Sequence, residues 1–402
     1  MTQAYLPRHA DAALALACAQ HPVVILDGPR GVGKTTSARR LAASTLEFPR
    51  DLPRIQADPQ RALAALETPV LIDEWQVAGT DLMWAIKRLV DDRPGPGQFI
   101  LTGSVEPATY GPTYPLTGRS VLVVMRPMTV MEREGRGAQV TPLERWVTGQ
   151  EPPASAGSAG TFTVADLFRT GFPGALALPH SAAFLEGYAA VLAQRAGDEG
   201  RDASRLLRTL QVLATLEGQA TPQTTVWEAA DITKVTWSAY DGLLRRTHIT
   251  VPSPSWESNR LKRLTSYPKR YLADAALAAV LAGETEASLR ANPHVAGRYV
   301  ESLVMQQLRP QVDAMKGTMG HVRTANGQRE VDAVIDLGRQ VWGVEVKSAT
   351  SVTPHDARAL EWFREQMGER FGGGLVVHTG GDSYPLGERI WAVSLDALTG
   401  TV

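Results

Sequence analysis

Val23-Val24-Ile25-Leu26-Asp27-Gly28-Pro29-Arg30-Gly31-Val32-Gly33-Lys34-Thr35 decides the fold class of the N-terminal third of this 402-residue chain. The four apolar residues that open it read as a short strand buried on both faces. A glycine-rich loop follows, and the spacing Gly28-x-x-x-x-Gly33-Lys34-Thr35 matches a phosphate-cradling loop. That pattern has physical content only when a strand delivers the loop and a helix leaves it. Backbone N–H groups then turn inward toward a phosphate, and glycines permit conformations and close approaches that a Cβ would block. The departing helix is predicted from about Thr35 to Ser44.

Working outward, Pro69-Val70-Leu71-Ile72-Asp73 is a second apolar strand, Leu82 to Leu89 a helical stretch, and Gln98-Phe99-Ile100-Leu101-Thr102 and Ser120-Val121-Leu122-Val123-Val124 two more strands. Strands alternating with helices predict a mainly parallel α/β sheet covered on both faces. The second strand ends in the paired carboxylates Asp73 and Glu74. In that position Asp73 and the Thr35 hydroxyl are expected to serve Mg²⁺, Glu74 to orient or deprotonate a water, and Lys34 to neutralise the β- and γ-phosphates of ATP. The nucleotide-binding set is Gly28, Pro29, Arg30, Gly31, Val32, Gly33, Lys34, Thr35 and Thr36. Thr102, with Ser104 beside it, sits where a hydroxyl would sense the γ-phosphate or simply bind backbone. Arg119 is either an arginine finger for a neighbouring subunit or a locally paired surface residue. Both alternatives stay open for each.

The whole chain narrows the classes. Its 41 Lys and Arg against 42 Asp and Glu give a net charge of −1, so a nucleic-acid partner must be argued from local patches. The single cysteine, Cys18, leaves no internal disulfide and suits a reducing cytoplasm. No secretory signal and no membrane-spanning apolar run are legible, so a cytoplasmic location with no membrane contact is expected.

Gly, Ser and Pro crowd residues 135–160, a linker pattern. Helices are predicted at Ala182–Ala196 and Ala203–Leu216. Val226–Ala230 and Lys234–Arg246, with the turn Asp231-Ile232-Thr233 between them and a short strand after, fit a winged-helix module. From about His294 a helix, Val295–Leu308, precedes strands at Glu330–Leu337, Gln340–Lys347 and Gly374–Val377. Asp332 and Glu345 lie in adjacent strands, and Lys347 follows Glu345 at same-face spacing. With Glu301 on the preceding helix, these residues would form a hard-oxygen site for a second Mg²⁺ or Mn²⁺ with a lysine beside it. A solvated charge face is the alternative. Arg245, Arg246, Arg260, Lys262, Arg263, Lys269 and Arg270, with Trp256, Tyr267 and Tyr271 interleaved, read either as a DNA- or RNA-binding surface or as a solvated face over a core of aromatics.

Taken together, these residues resemble the AAA-type bacterial ATPases whose ATPase domain precedes a C-terminal domain of unknown function 4143. The resemblance runs through the glycine loop, Ile72-Asp73-Glu74, Leu101-Thr102-Gly103-Ser104, Gly118-Arg119, Gly171-Phe172-Pro173, Lys262-Arg263, Pro268-Lys269-Arg270-Tyr271-Leu272-Ala273-Asp274, Arg329-Glu330-Val331-Asp332 and Glu345-Val346-Lys347. It implies an AAA-type P-loop NTPase domain over 1–135, a linker and helical region over 136–200, a winged-helix-like domain over 201–285 and a restriction-endonuclease-like α/β domain over 286–402. ATP hydrolysis is the activity it implies. Asp332, Glu345 and Lys347 are similar to the Asp…Glu-x-Lys core of restriction-type nucleases, and nuclease activity stays open. So do nucleic-acid binding without cleavage, a protein-binding switch, and homo-oligomerisation.

Overall fold

The computed structural model describes residues 4–103, 115–152, 162–178, 180–198, 200–256, 267–324 and 329–400. The chain divides into two compact units, residues 1–126 with 246–248, and residues 127–245 with 249–402.

Among the described residues, the first unit is built on five strands: β1 (Val23–Asp27), β2 (Ser44–Glu47), β3 (Val70–Asp73), β4 (Phe99–Thr102) and β5 (Ser120–Val124). They lie in the order β2-β3-β4-β1-β5, and every neighbouring pair is parallel. Parallel strands need crossover connections, and buried apolar strands need cover. Helices α2 (Lys34–Arg39) and α3 (Gly79–Asp92) lie among those crossovers, and α1 (Ala10–Gln20) precedes the first strand. In α3 the buried residues Leu82, Met83, Ile86, Leu89 and Val90 recur at helical spacing, and they share a core with Val23, Ile25, Val70, Ile72, Trp75, Phe99 and Leu101. Each such side chain, fully buried, stabilises the fold by about 1.5–3 kcal/mol.

Four of these strands match the predicted ones. β2 does not appear in the sequence reading, because Ser-Thr-Leu-Glu at a sheet edge buries only Leu46 and so lacks an apolar signature. Its presence also explains why α2 stops at Arg39, short of the predicted Ser44: the chain has to turn to enter the edge strand.

The second unit opens with two short helices, Val130–Arg133 and Pro142–Val147, and then has α4 (Ala182–Asp198), α5 (Ala203–Thr215), α6 (Gln223–Ala229) and α7 (Lys234–Arg246). An antiparallel ribbon of β6 (Thr250–Ser253) and β7 (Lys269–Leu272) follows, then α8 (Ala275–Leu281) and the long α9 (Pro293–Ala314). Six further strands, β8 (Thr318–Arg323), β9 (Glu330–Asp336), β10 (Val341–Lys347), β11 (Phe371–His378), β12 (Tyr384–Gly387) and β13 (Ile390–Ser394), form a sheet in the order β12-β13-β11-β10-β9-β8. Its β10-β11 and β11-β13 pairs are parallel and the others antiparallel. One face is packed by α10 (Arg358–Met367) through Leu360 and Phe363, against Val331, Val334, Val341 and Phe371.

Helix α9 extends beyond the predicted Val295–Leu308 and passes through Pro310, because tertiary burial outweighs the local signal. It is buried along most of its length even where it is polar, and Ser302, Gln306 and Gln307 each have a hydrogen-bond partner. Gln306 accepts from the Ala275 N–H (2.9 Å) and donates to Asp274 (3.1 Å). Gln307 accepts from the Val130 N–H (2.8 Å), and Ser302 donates to Glu217 (2.6 Å). Asp274 also accepts from the backbone N–H groups of Gly171 (2.7 Å) and Leu277 (2.9 Å), so Gly171-Phe172-Pro173 and the Tyr271–Asp274 stretch meet in space.

Glu217 is fully enclosed, and burial pushes its carboxyl up to about 8 despite the donors Ser302 and Leu272 N–H. Its folded value therefore exceeds the unfolded value of about 4.3. The linked stability is intact below pH 4 and is lost progressively as pH rises toward 8. Glu217→Gln removes the titration while keeping an acceptor for Ser302 and Leu272. Its melting temperature is expected to gain on the wild type as pH is raised from 5 to 8, measured by circular dichroism. A constant difference across that range would contradict this assignment.

Candidate functional site

The glycine loop leaves β1 with an unusual backbone. Gly28 has φ +145°, and a Cβ there would lie 2.0 Å from the Met125 carbonyl oxygen. Gly31 and Gly33 also have positive φ, 74° and 97°. Asp27 secures the entry: its Oδ1 accepts from the Gly28 N–H at 2.7 Å, and its Oδ2 meets His248 Nε2 at 2.8 Å within the same unit. Lys34 is buried at the start of α2, and its ammonium donates to the carbonyls of Gly28 (2.7 Å) and Pro29 (2.9 Å). Burial lowers its pKa to about 8, with Asp27 and Glu74 opposing the shift. A buried cation held only by neutral carbonyls in its own loop fits an incoming phosphate, which would supply the opposite charge.

The sheet order brings the other predicted residues to the loop. Because β4 lies between β1 and β3, Thr102 at the end of β4 adjoins Asp73 at the end of β3. Asp73 Oδ1 accepts from the Thr35 hydroxyl at 2.9 Å and from the Thr102 hydroxyl at 2.7 Å. Thr102 is completely buried, so its hydroxyl orients the Asp73 carboxylate. Glu74 has φ 52°, ψ 42°, a left-handed conformation that costs a non-glycine residue about 1–2 kcal/mol. Its carboxylate takes a hydrogen bond from Gln76 and lies 3.9 Å from Arg30 of the loop. Arg119 is bound to Asp91, Nε at 2.5 Å and Nη2 at 3.0 Å, so in this chain the locally paired arrangement is the one observed. Ser104 lies outside the described residues.

In the second unit Glu301, Asp332, Glu345 and Lys347 do lie near one another, together with a residue the sequence reading assigned elsewhere. Lys269 Nζ is 3.0 Å from Glu301, 2.9 Å from Glu330 and 2.9 Å from Asp332. Tyr271 donates to Glu301 at 2.5 Å, the Val346 N–H donates to Asp332 at 3.0 Å, and Lys347 pairs with Glu345 at 2.8 Å. Burial, reinforced by Asp332, pushes the Glu301 carboxyl up to about 7 and the Glu345 carboxyl up to about 8. Burial opposes the Lys269 charge, but Asp332, Glu301 and Glu330 together raise its pKa. Among the described residues, no three His, Cys, Asp or Glu side chains are placed to hold a metal ion, and the expected second Mg²⁺ or Mn²⁺ gains no support.

The basic stretch is not the uniform surface that either sequence reading expected. Lys269 and Arg270 are buried, as are Trp256 and Tyr271, whereas Tyr267 is exposed. Arg270 points to the opposite side of β7 from Lys269 and donates to the Thr221 carbonyl at 3.1 Å. Arg245 is tied to Asp241 at 2.9 Å. Arg260, Lys262 and Arg263 lie outside the described residues.

Comparison with known proteins finds domain models along the chain. An AAA domain model matches residues 20–134, and a model of domain of unknown function 4143 matches residues 296–398. A third, domain of unknown function 8612, matches residues 167–288. The chain therefore combines an N-terminal AAA-type domain with a C-terminal domain of unknown function 4143. Uncharacterised proteins of Mycobacterium tuberculosis and Mycobacterium bovis are each 28% identical over 404 residues, covering 98% of this chain and 85% of the relative. Among solved structures, a Walker-type ATPase of Pyrococcus abyssi aligns at 15% identity and a TM-score of 0.40, covering 70% of this chain and 99% of that one. No described helix is long and apolar enough to cross a membrane.

The loop geometry sets an order of severity. Gly31→Ala meets nothing within 4 Å and should cost only its left-handed backbone, about 1–2 kcal/mol. Gly28→Ala must displace the Met125 carbonyl as well. It should lower the melting temperature further and abolish any thermal stabilisation by Mg-ATP. Equal effects of the two variants would contradict this account of the loop.

Proposed function

We propose that the chain binds and hydrolyses ATP at the β1 loop, and that its nucleotide state controls the C-terminal half. The observation that carries this reading is the convergence of Lys34, Thr35, Asp73, Glu74 and Thr102 at the ends of three neighbouring parallel strands.

The roles follow from the chemistry of each group. Lys34 exchanges the Gly28 and Pro29 carbonyls for phosphate oxygens, gaining an anionic partner in place of neutral ones. Thr35 and Asp73 would hold a magnesium ion arriving with the nucleotide, which supplies charge neutralisation at the transferring phosphoryl group. Thr102 keeps Asp73 oriented through their 2.7 Å hydrogen bond. Glu74, on its strained backbone, orients the attacking water and accepts its proton. Arg119 would act on a neighbouring subunit's nucleotide only after releasing Asp91.

Steady-state turnover and nucleotide binding separate these roles. Glu74→Gln should lower kcat by roughly 10²–10⁴-fold while leaving ATP binding intact. Lys34→Ala should weaken ATP binding itself. Absence of ATP hydrolysis by wild type, with and without nucleic acid, would overturn the proposal.

A further inference from the structure

The carboxylates gathered by α9 and β9 surround a cation that belongs to the chain itself. Lys269 enters from β7, and its side chain is only 4% exposed. An ammonium has three N–H donors, and three carboxylate oxygens lie within 3.0 Å of this one, from Glu301, Glu330 and Asp332. Two of these carboxylates are braced a second time, Glu301 by the Tyr271 hydroxyl and Asp332 by the Val346 N–H. The braces turn the oxygens toward a common centre, and that centre holds nitrogen. Set 2.9–3.0 Å from that nitrogen, these oxygens stand wider than the roughly 2.0–2.6 Å of a divalent cation, which would have to displace the ammonium and draw them in. The adjoining Glu345 carboxylate has one oxygen on Lys347, while its Oε2 is buried without a hydrogen-bond partner. Lys269 therefore contacts one oxygen of each inner carboxylate and leaves Glu345 as the part of the cluster it does not reach.

We propose that Lys269 is a tethered cation that takes the place of a divalent metal ion among Glu301, Glu330 and Asp332, keeping this carboxylate set closed to metal while β7 is seated. The lysine is supplied by the ribbon preceding α8, whereas the carboxylates come from α9 and the C-terminal sheet. Closure is thus a property of how that ribbon packs. It places the cluster among ion-paired structural centres, with Lys347 and Glu345 as a neighbouring pair.

The experiment is a Mn²⁺ titration of metal-stripped, full-length protein without nucleotide, followed by calorimetry and by the Mn²⁺ paramagnetic resonance signal. An Asp73→Asn background removes any ion held at the glycine loop, so this test stands or falls separately from the ATPase reading. The wild-type cluster should take up no Mn²⁺ in the micromolar range. Lys269→Ala, left with uncompensated carboxylates, should bind one Mn²⁺ about tenfold or more tighter than wild type, and lose that site on adding Asp332→Asn. It should also melt lower in chelator and recover with Mn²⁺. A wild-type site that Asp332→Asn abolishes would overturn the proposal, as would a folded Lys269→Ala that binds no metal. Should Lys269→Ala not fold, the wild-type and Asp332→Asn titrations decide alone: no saturable site lost on substitution supports closure, and one such site refutes it.

Discussion

A charge taken out of water must be met by an opposite charge or by well-placed hydrogen bonds. The two units of this chain apply that constraint to a buried lysine in opposite ways. Lys34 meets only the carbonyls of its own loop, and burial moves its pKa down toward neutrality. That is a cation still short of an anion. Lys269 has three carboxylates around it and its pKa moves up. It is already neutralised, and no further ligand improves its position. The same side chain is thus proposed to receive a phosphate in one case and to complete a structural centre in the other.

How much of this was legible in the sequence depends on how local the determining contacts are. The glycine loop was legible because strand, turn and helix are contiguous and each has its own signal. Asp73 and Glu74 were legible for the same reason, as the end of an apolar strand. The bond between Thr102 and Asp73 was not, because it depends on β4 lying between β1 and β3, a matter of sheet order. Strand β2 escaped because an edge strand with one buried residue looks like loop.

The largest misreading concerns β7. Lys269-Arg270-Tyr271-Leu272 puts two adjacent cations before an aromatic and an aliphatic residue, and both sequence readings set those cations on a surface. All four residues are buried instead. Lys269 and Tyr271 face Glu301, while on the other side Arg270 reaches the Thr221 carbonyl and stacks 5.7 Å from the Trp237 ring. Period-two patterning says which residues share a face, and it cannot say that a charged face is dry. The missing information was distributed over Glu301, Glu330 and Asp332, each more than thirty residues away.

Helix α9 makes that arrangement rigid. Consecutive residues Glu301 and Ser302 grip the ribbon at two points, Glu301 through Lys269 and Tyr271, and Ser302 through the Glu217 carboxyl that accepts the Leu272 N–H. Four residues further along, Gln306 ties the helix to Asp274, directly after the ribbon. The ribbon is therefore fixed to one helix by polar contacts at Lys269, Tyr271, Leu272 and Asp274. Directional hydrogen bonds of this kind specify register in a way that apolar packing does not. Moving Lys269 out of the carboxylate cluster would break several of them together, so access to the cluster is governed by the seating of the whole ribbon and cannot be opened by one side chain swinging aside.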